Sequence, residues 1–288
     1  MPTRTAGPDE HRALEREALT QLVSHPTARD KTALFFAATF AITWSLQLPA
    51  LLAHWGLASG PPEKYLALVG LGGLGPLLAA MLASWREPGG VRALFAPLKI
   101  WRVGIGWYPL ALFLPGAIFS VGMAVRALFG GAAAGPWFYW PNAAPLIVAM
   151  VVFPVGEEFG WRGFALPRLL RVHGAVRASL IVGLFWGVWH LPMFLLVGIE
   201  PRELVLMLVF FPAASLVFTW LYRHTRGSML LALLMHMGAH LNNPHRALPG
   251  NAIPLVVHTI GYAVVALALV IADRRAWRSS VTAVVGRA

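Results

Sequence analysis

Eight apolar stretches dominate this chain, at 33–53, 65–85, 105–126, 143–161, 179–198, 204–222, 228–243 and 254–272. A helix rises 1.5 Å per residue, so a hydrocarbon layer of about 30 Å takes about 20 residues. Backbone polar groups in lipid must be satisfied within their own element, which favours helices. The stretches therefore predict an all-α fold: a polytopic membrane helix bundle of about eight transmembrane helices. Composition agrees, because 12% of the residues are charged against roughly 25% in soluble domains. So few charges cannot wet the surface of a soluble protein.

Charge placement orients the bundle. With the N-terminus inside and the spans alternating, 19 of the 23 Lys and Arg residues fall on one side. Only Lys64, Arg126, Arg202 and Arg246 fall on the other. Basic residues collect on cytoplasmic loops, so both termini are expected in the cytoplasm. The same asymmetry accounts for the net charge of +11 through anionic lipid headgroups, with no nucleic-acid partner. Three parts follow: a polar cytoplasmic tail (1–31), a transmembrane domain (32–273) and a basic cytoplasmic tail (274–288). The first part lacks the apolar core of a signal peptide, and Glu10 to Val23 suits a surface helix or a disordered tail. Integral residence in a cytoplasmic membrane of bacterial type is expected. The chain has no cysteine, which excludes disulfides, thiolate zinc and cysteine nucleophiles.

Two loops invite structural readings. Residues 127–142 are rich in Gly and aromatics and suit an interfacial belt. Gly70 to Pro76 suits close helix packing. Gln47 and His258 are read as packing residues.

The chemistry concentrates in three spans. The fourth ends in Gly156-Glu157-Glu158-Phe159-Gly160-Trp161-Arg162. Carboxylates in an apolar run are expensive to bury. Glu158 and Arg162 are four apart and can pair on one face. Glu157 points about 100° away from Glu158, so the two acids need different partners. Glu157 is the candidate base and Glu158 with Arg162 the support; alternatively, both acids simply reach the headgroups. The fifth span carries His190, about 15 Å from its inner end, followed by Pro192, which loosens the helix. The seventh carries His236 and His240, four apart on one face, with His236 about 12 Å deep. A carboxylate and an imidazole can together deprotonate a water, while a further histidine stabilises an oxyanion or holds a metal.

In these motifs the chain resembles the CPBP intramembrane proteases, a family that includes CAAX prenyl endopeptidases and bacteriocin-processing or immunity proteins. The family motifs are EExxxR, [FW]xxxH and HxxxN or HxxxD on successive helices. Here they read Glu157-Glu158 with Arg162, Trp186 with His190, and His236 with His240. The segment Trp101 to Tyr108 is similar to a family feature before the third helix, and the likeness spans roughly 70 to 245. The resemblance implies that 32–273 is a peptidase domain with catalytic residues Glu157, His190, His236 and His240. Glu157 and His190 would activate water, His236 would stabilise the oxyanion, and Glu158 and Arg162 would support the site. The last motif position is usually Asn or Asp and is His240 here, which strengthens a zinc option through His190, His236 and His240. The glutamate-dependent mechanism would need no cofactor.

Expected partners are membrane lipid and a peptide or lipidated protein substrate, with the site toward the cytoplasmic leaflet. Two other functions use the same residues. Buried Glu, Arg and His also build the relays of proton-coupled transporters, although the halves show no duplication of the kind many transporters carry. A non-catalytic immunity or scaffold protein is the third.

Overall fold

The computed structural model describes residues 31–131, 144–199, 201–241 and 255–278. The expected N-terminal tail, most of the aromatic loop and the end of the basic C-terminal tail lie outside the described residues. The chain divides after Lys31, and every described helix belongs to the unit that begins at Thr32. All regular structure among the described residues is helical.

The first helix, α1, is Thr32–His54. A 3₁₀ turn at Pro62–Tyr65 leads into α2 (Leu66–Gly72) and α3 (Gly75–Ser84), which together make the second apolar crossing. Pro62 and Pro76 stand at the first turns of their segments, where a missing N–H costs nothing. A short α4 (Gly90–Phe95) follows, then α5 (Trp107–Leu128). Next comes α6 (Ala144–Glu158), which runs through a π-helix (Phe159–Ala165) into α7 (Leu166–Val172). The next crossing is α8 (Ala175–Trp189) with α9 (Leu191–Leu196). The rest of the bundle is α10 (Pro201–His224), α11 (Met229–Leu241), α12 (Leu255–Ala272) and α13 (Arg274–Arg278).

Five of these crossings are long and apolar enough to pass a bilayer: Thr32–His54, Pro62–Ser84, Trp107–Leu128, Ala175–Leu196 and Glu203–His224. The chain is an apolar helical membrane protein. The remaining three expected spans differ for physical reasons. Met229–Leu241 and Val256–Ala272 are apolar but shorter than 18 residues. The fourth changes helix type at Phe159, where its charged residues begin.

Glycines decide how closely the catalytic strip of α6 approaches its neighbours. A Cβ on Gly156 would lie 2.6 Å from the Gly73 carbonyl oxygen, and one on Gly160 2.7 Å from that of Pro76. The α2–α3 junction therefore meets α6 backbone to backbone, the close approach that small residues four apart allow. Gly72 fits against Gln47 and Thr43 in the same way, as expected of the Gly70–Pro76 stretch. On the other flank, α8 packs on α10 where Gly183 faces the backbone of Pro212. The turn into α11 uses Gly227 at φ +80°, a left-handed conformation that costs Gly nothing. Ser228 then caps the helix, its hydroxyl accepting from the Leu231 N–H at 3.4 Å. The Trp101–Tyr108 segment leads into α5, with the Tyr108 hydroxyl donating to the Trp101 carbonyl and Arg226 to that of Arg102. At that end of the bundle Arg168 pairs with Glu87.

Candidate active site

Glu157 and Glu158 diverge as helical geometry requires. Glu158 and Arg162 are both fully buried, with Arg162 Nη1 donating to Glu158 Oε1 at 2.8 Å. The same oxygen lies 2.8 Å from His236 Nδ1. The guanidinium carbon sits 4.3 Å from the Trp186 ring centroid and 4.4 Å from that of Phe218. Two aromatic faces thus take up a cation that no water surrounds. This triad, drawn from α6, the π-helix and α11, explains how a full charge can occupy the interior.

Glu157 faces another way. Its Oε2 accepts from the Trp186 indole Nε1 at 2.6 Å and lies 4.0 Å from His190 Nε2. His190 Nδ1 is 2.9 Å from the Trp186 carbonyl oxygen. A carbonyl can only accept, so Nδ1 carries the hydrogen and Nε2 is the basic nitrogen turned toward Glu157. The imidazole is held flat between Phe194 and Phe211, at ring-centroid distances of 5.3 and 4.6 Å. An oxygen atom can stand within hydrogen-bond reach of both Glu157 and His190, the geometry that water activation needs.

The helix carrying His190 is pinned from behind. Trp189 Nε1 donates to Thr43 Oγ1 at 2.7 Å, and that hydroxyl donates to the Gly72 carbonyl at 2.8 Å. Trp44 Nε1 donates to the Trp189 carbonyl at 3.2 Å. Pro192 breaks the helix between α8 and α9 just beyond His190.

Glu157, His190, His236 and His240 all line one cavity of about 370 Å³, in the range of small-ligand sites. Its other walls are largely apolar, among them Phe153, Phe194, Met207 and Phe210. His240 stacks on His236 with centroids 4.9 Å apart and planes 10° from parallel. Imidazole lone pairs lie in the ring plane, so two near-parallel stacked rings cannot aim at one ion. Among the described residues no group of three His, Asp or Glu could hold a metal. The zinc option through His190, His236 and His240 does not fit this arrangement.

Residues 137–242 match the family model of the type II CAAX prenyl endopeptidase Rce1-like proteins. That interval contains all three motifs. The chain is also 21% identical to the CAAX prenyl protease 2 of Methanococcus maripaludis, over 84% of this chain and 94% of that protein. The chain belongs to the CAAX protease family.

For this family member the structure brings together every residue that the sequence singled out. It distributes them differently in two respects. His236 was expected beside Glu157 but hydrogen-bonds Glu158, while its ring still lines the cavity. Glu157 was expected near the inner end of a span stopping at 161. The helix instead continues to Val172, because Arg162 is paired and buried rather than marking a membrane surface. Sequence reading missed Trp186 as a donor to Glu157; its place four residues before His190, on one helix face, was the available signal. It also missed Thr43, which carries no pattern of its own.

Proposed function

We propose that this protein is an intramembrane endopeptidase that hydrolyses a peptide bond in a membrane-associated peptide or lipidated protein. One observation carries the reading: the Glu157 carboxylate and the His190 Nε2 atom stand 4.0 Å apart on the wall of an otherwise apolar cavity. The family match supports the same class, and the name of the Methanococcus maripaludis relative points to prenylated substrates.

In the proposed reaction a water bridges Glu157 and His190. Glu157 takes one proton while the oxygen attacks the scissile carbonyl carbon, and His190 Nε2 accepts the remaining hydrogen as a hydrogen bond. The carbonyl oxygen becomes an oxyanion. His236 faces it with Glu158 behind, a carboxylate that stabilises positive charge on the imidazole and so lets Nε2–H donate. His240 adds a donor at the position where the family usually has Asn or Asp. Collapse of the tetrahedral species breaks the C–N bond, and Glu157 returns its proton to the leaving amine. Trp186 holds Glu157 in register throughout. No step needs a metal.

The membrane topology belongs to the same proposal: eight passes, both termini cytoplasmic, supported by the basic loops and the apolar helices beyond the five longest. Purified protein incubated with prenylated and unmodified peptides tests the function. Cleavage that persists undiminished in both Glu157→Ala and His190→Ala would remove the assigned site.

A further inference from the structure

The cavity sits at one end of the bundle and the basic residues sit at the other. Its mouth is built from Leu66, Met193, Met207 and His258. These come from the first turns of α2, α10 and α12 and from α9, next to the segments 55–61, 197–200 and 242–254. Leu66 precedes Gly73, which packs on Gly156, by seven residues, or about 10 Å along the helix axis. The mouth is thus about that far from the level of Glu157.

The opposite direction is closed. Between Glu157 and α7 the chain places Phe159, Trp161, Arg162 and Phe164, none more than 2% exposed. Beyond that plug lie the segments 85–106, 166–177, 223–228 and 273–278, which carry twelve Lys and Arg residues. The segments at the mouth end, 55–65, 126–131 and 197–202, carry three. An excess of Lys and Arg marks the cytoplasmic side of a membrane protein.

We infer that the cavity opens to the non-cytoplasmic face of the membrane and receives its substrate there, as an apolar peptide segment presented from that side. This replaces the cytoplasmic-leaflet placement expected from sequence, which rested on ending the fourth span at 161. The word substrate rests on the peptidase reading; the side on which the cavity opens does not.

The absence of cysteine allows single-cysteine reporters in the otherwise native chain. Leu66→Cys reports the mouth, Leu57→Cys the loop beside it and Lys99→Cys the basic end; all three positions are exposed. Intact spheroplasts are treated with a membrane-impermeant thiol reagent. Leu57→Cys and Leu66→Cys should label fully, and Lys99→Cys only after permeabilisation. Labelling of Lys99→Cys in intact spheroplasts overturns the orientation. Labelling of Leu57→Cys without Leu66→Cys overturns the open mouth. Neither readout needs catalysis, so an inactive protein would sink the peptidase reading while leaving this result standing. With an active preparation, a bulky impermeant reagent on Leu66→Cys should abolish cleavage, and the same reagent on Leu57→Cys should not.

Discussion

Replacing Arg162 by Met tests whether the triad beneath the cavity is a sealed set of charges. The substitution keeps an apolar stem between the rings of Trp186 and Phe218 but removes the cation that bonds Glu158 at 2.8 Å. Glu158 would keep His236 as its remaining charged partner. Removing one member of a buried pair strands the other charge and costs about 3–5 kcal/mol. His236 offsets part of that, so a loss of about 3 kcal/mol is expected. Glu158→Gln alone strands the guanidinium and should cost a similar amount. The double variant removes both charges, so its loss should fall short of the summed single losses by about 1–3 kcal/mol. Equilibrium unfolding in mixed micelles, followed by tryptophan fluorescence, gives the three values. A single-variant loss below about 1 kcal/mol, the size of an exposed pair, or strictly additive losses would refute the sealed triad.

Other consequences follow from the same geometry. Glu157→Gln and His190→Gln should each lower kcat by about 10²–10⁴-fold while leaving the unfolding midpoint near wild type; equal loss of fold and activity would point to a structural role. Trp186→Phe keeps the ring but deletes the donor to Glu157, a charge-assisted bond of about 1.5–3 kcal/mol, which predicts a lower kcat with little change in KM. Gly160→Ala drives a Cβ to 2.5 Å from that of Pro76 and should cost about 1–3 kcal/mol, read in the same unfolding assay. Dialysis against a strong chelator should leave peptidase activity unchanged; loss that zinc restores would reinstate the metal option.

Helical periodicity made the divergence of Glu157 from Glu158, the Glu158–Arg162 pair and the shared face of His236 and His240 legible before any coordinates. Each concerns residues within four positions of one another, where the 3.6-residue turn dictates who can meet. The His236–Glu158 bond joins residues 78 apart, and the Trp189–Thr43 bond residues 146 apart. Such pairings depend on how helices rotate about their own axes in the bundle, and hydropathy says nothing of that. The depth of Glu157 was misjudged because a buried arginine and a surface arginine read alike in a sequence. His236 was assigned to the right cavity but to the wrong acid.

The π-helix between Phe159 and Ala165 makes an unusual claim about deletions. Its turns hold more residues than α turns, as they do at many functional sites. Losing one amino acid there would let the backbone wind into ordinary α-helix, so helicity would rise while function fell. Everything after the lost residue would swing round the axis by about 100° relative to Glu157, carrying α7 off its contacts. A deletion series through this stretch should therefore separate gain of regular structure from loss of catalysis, two quantities that usually move together.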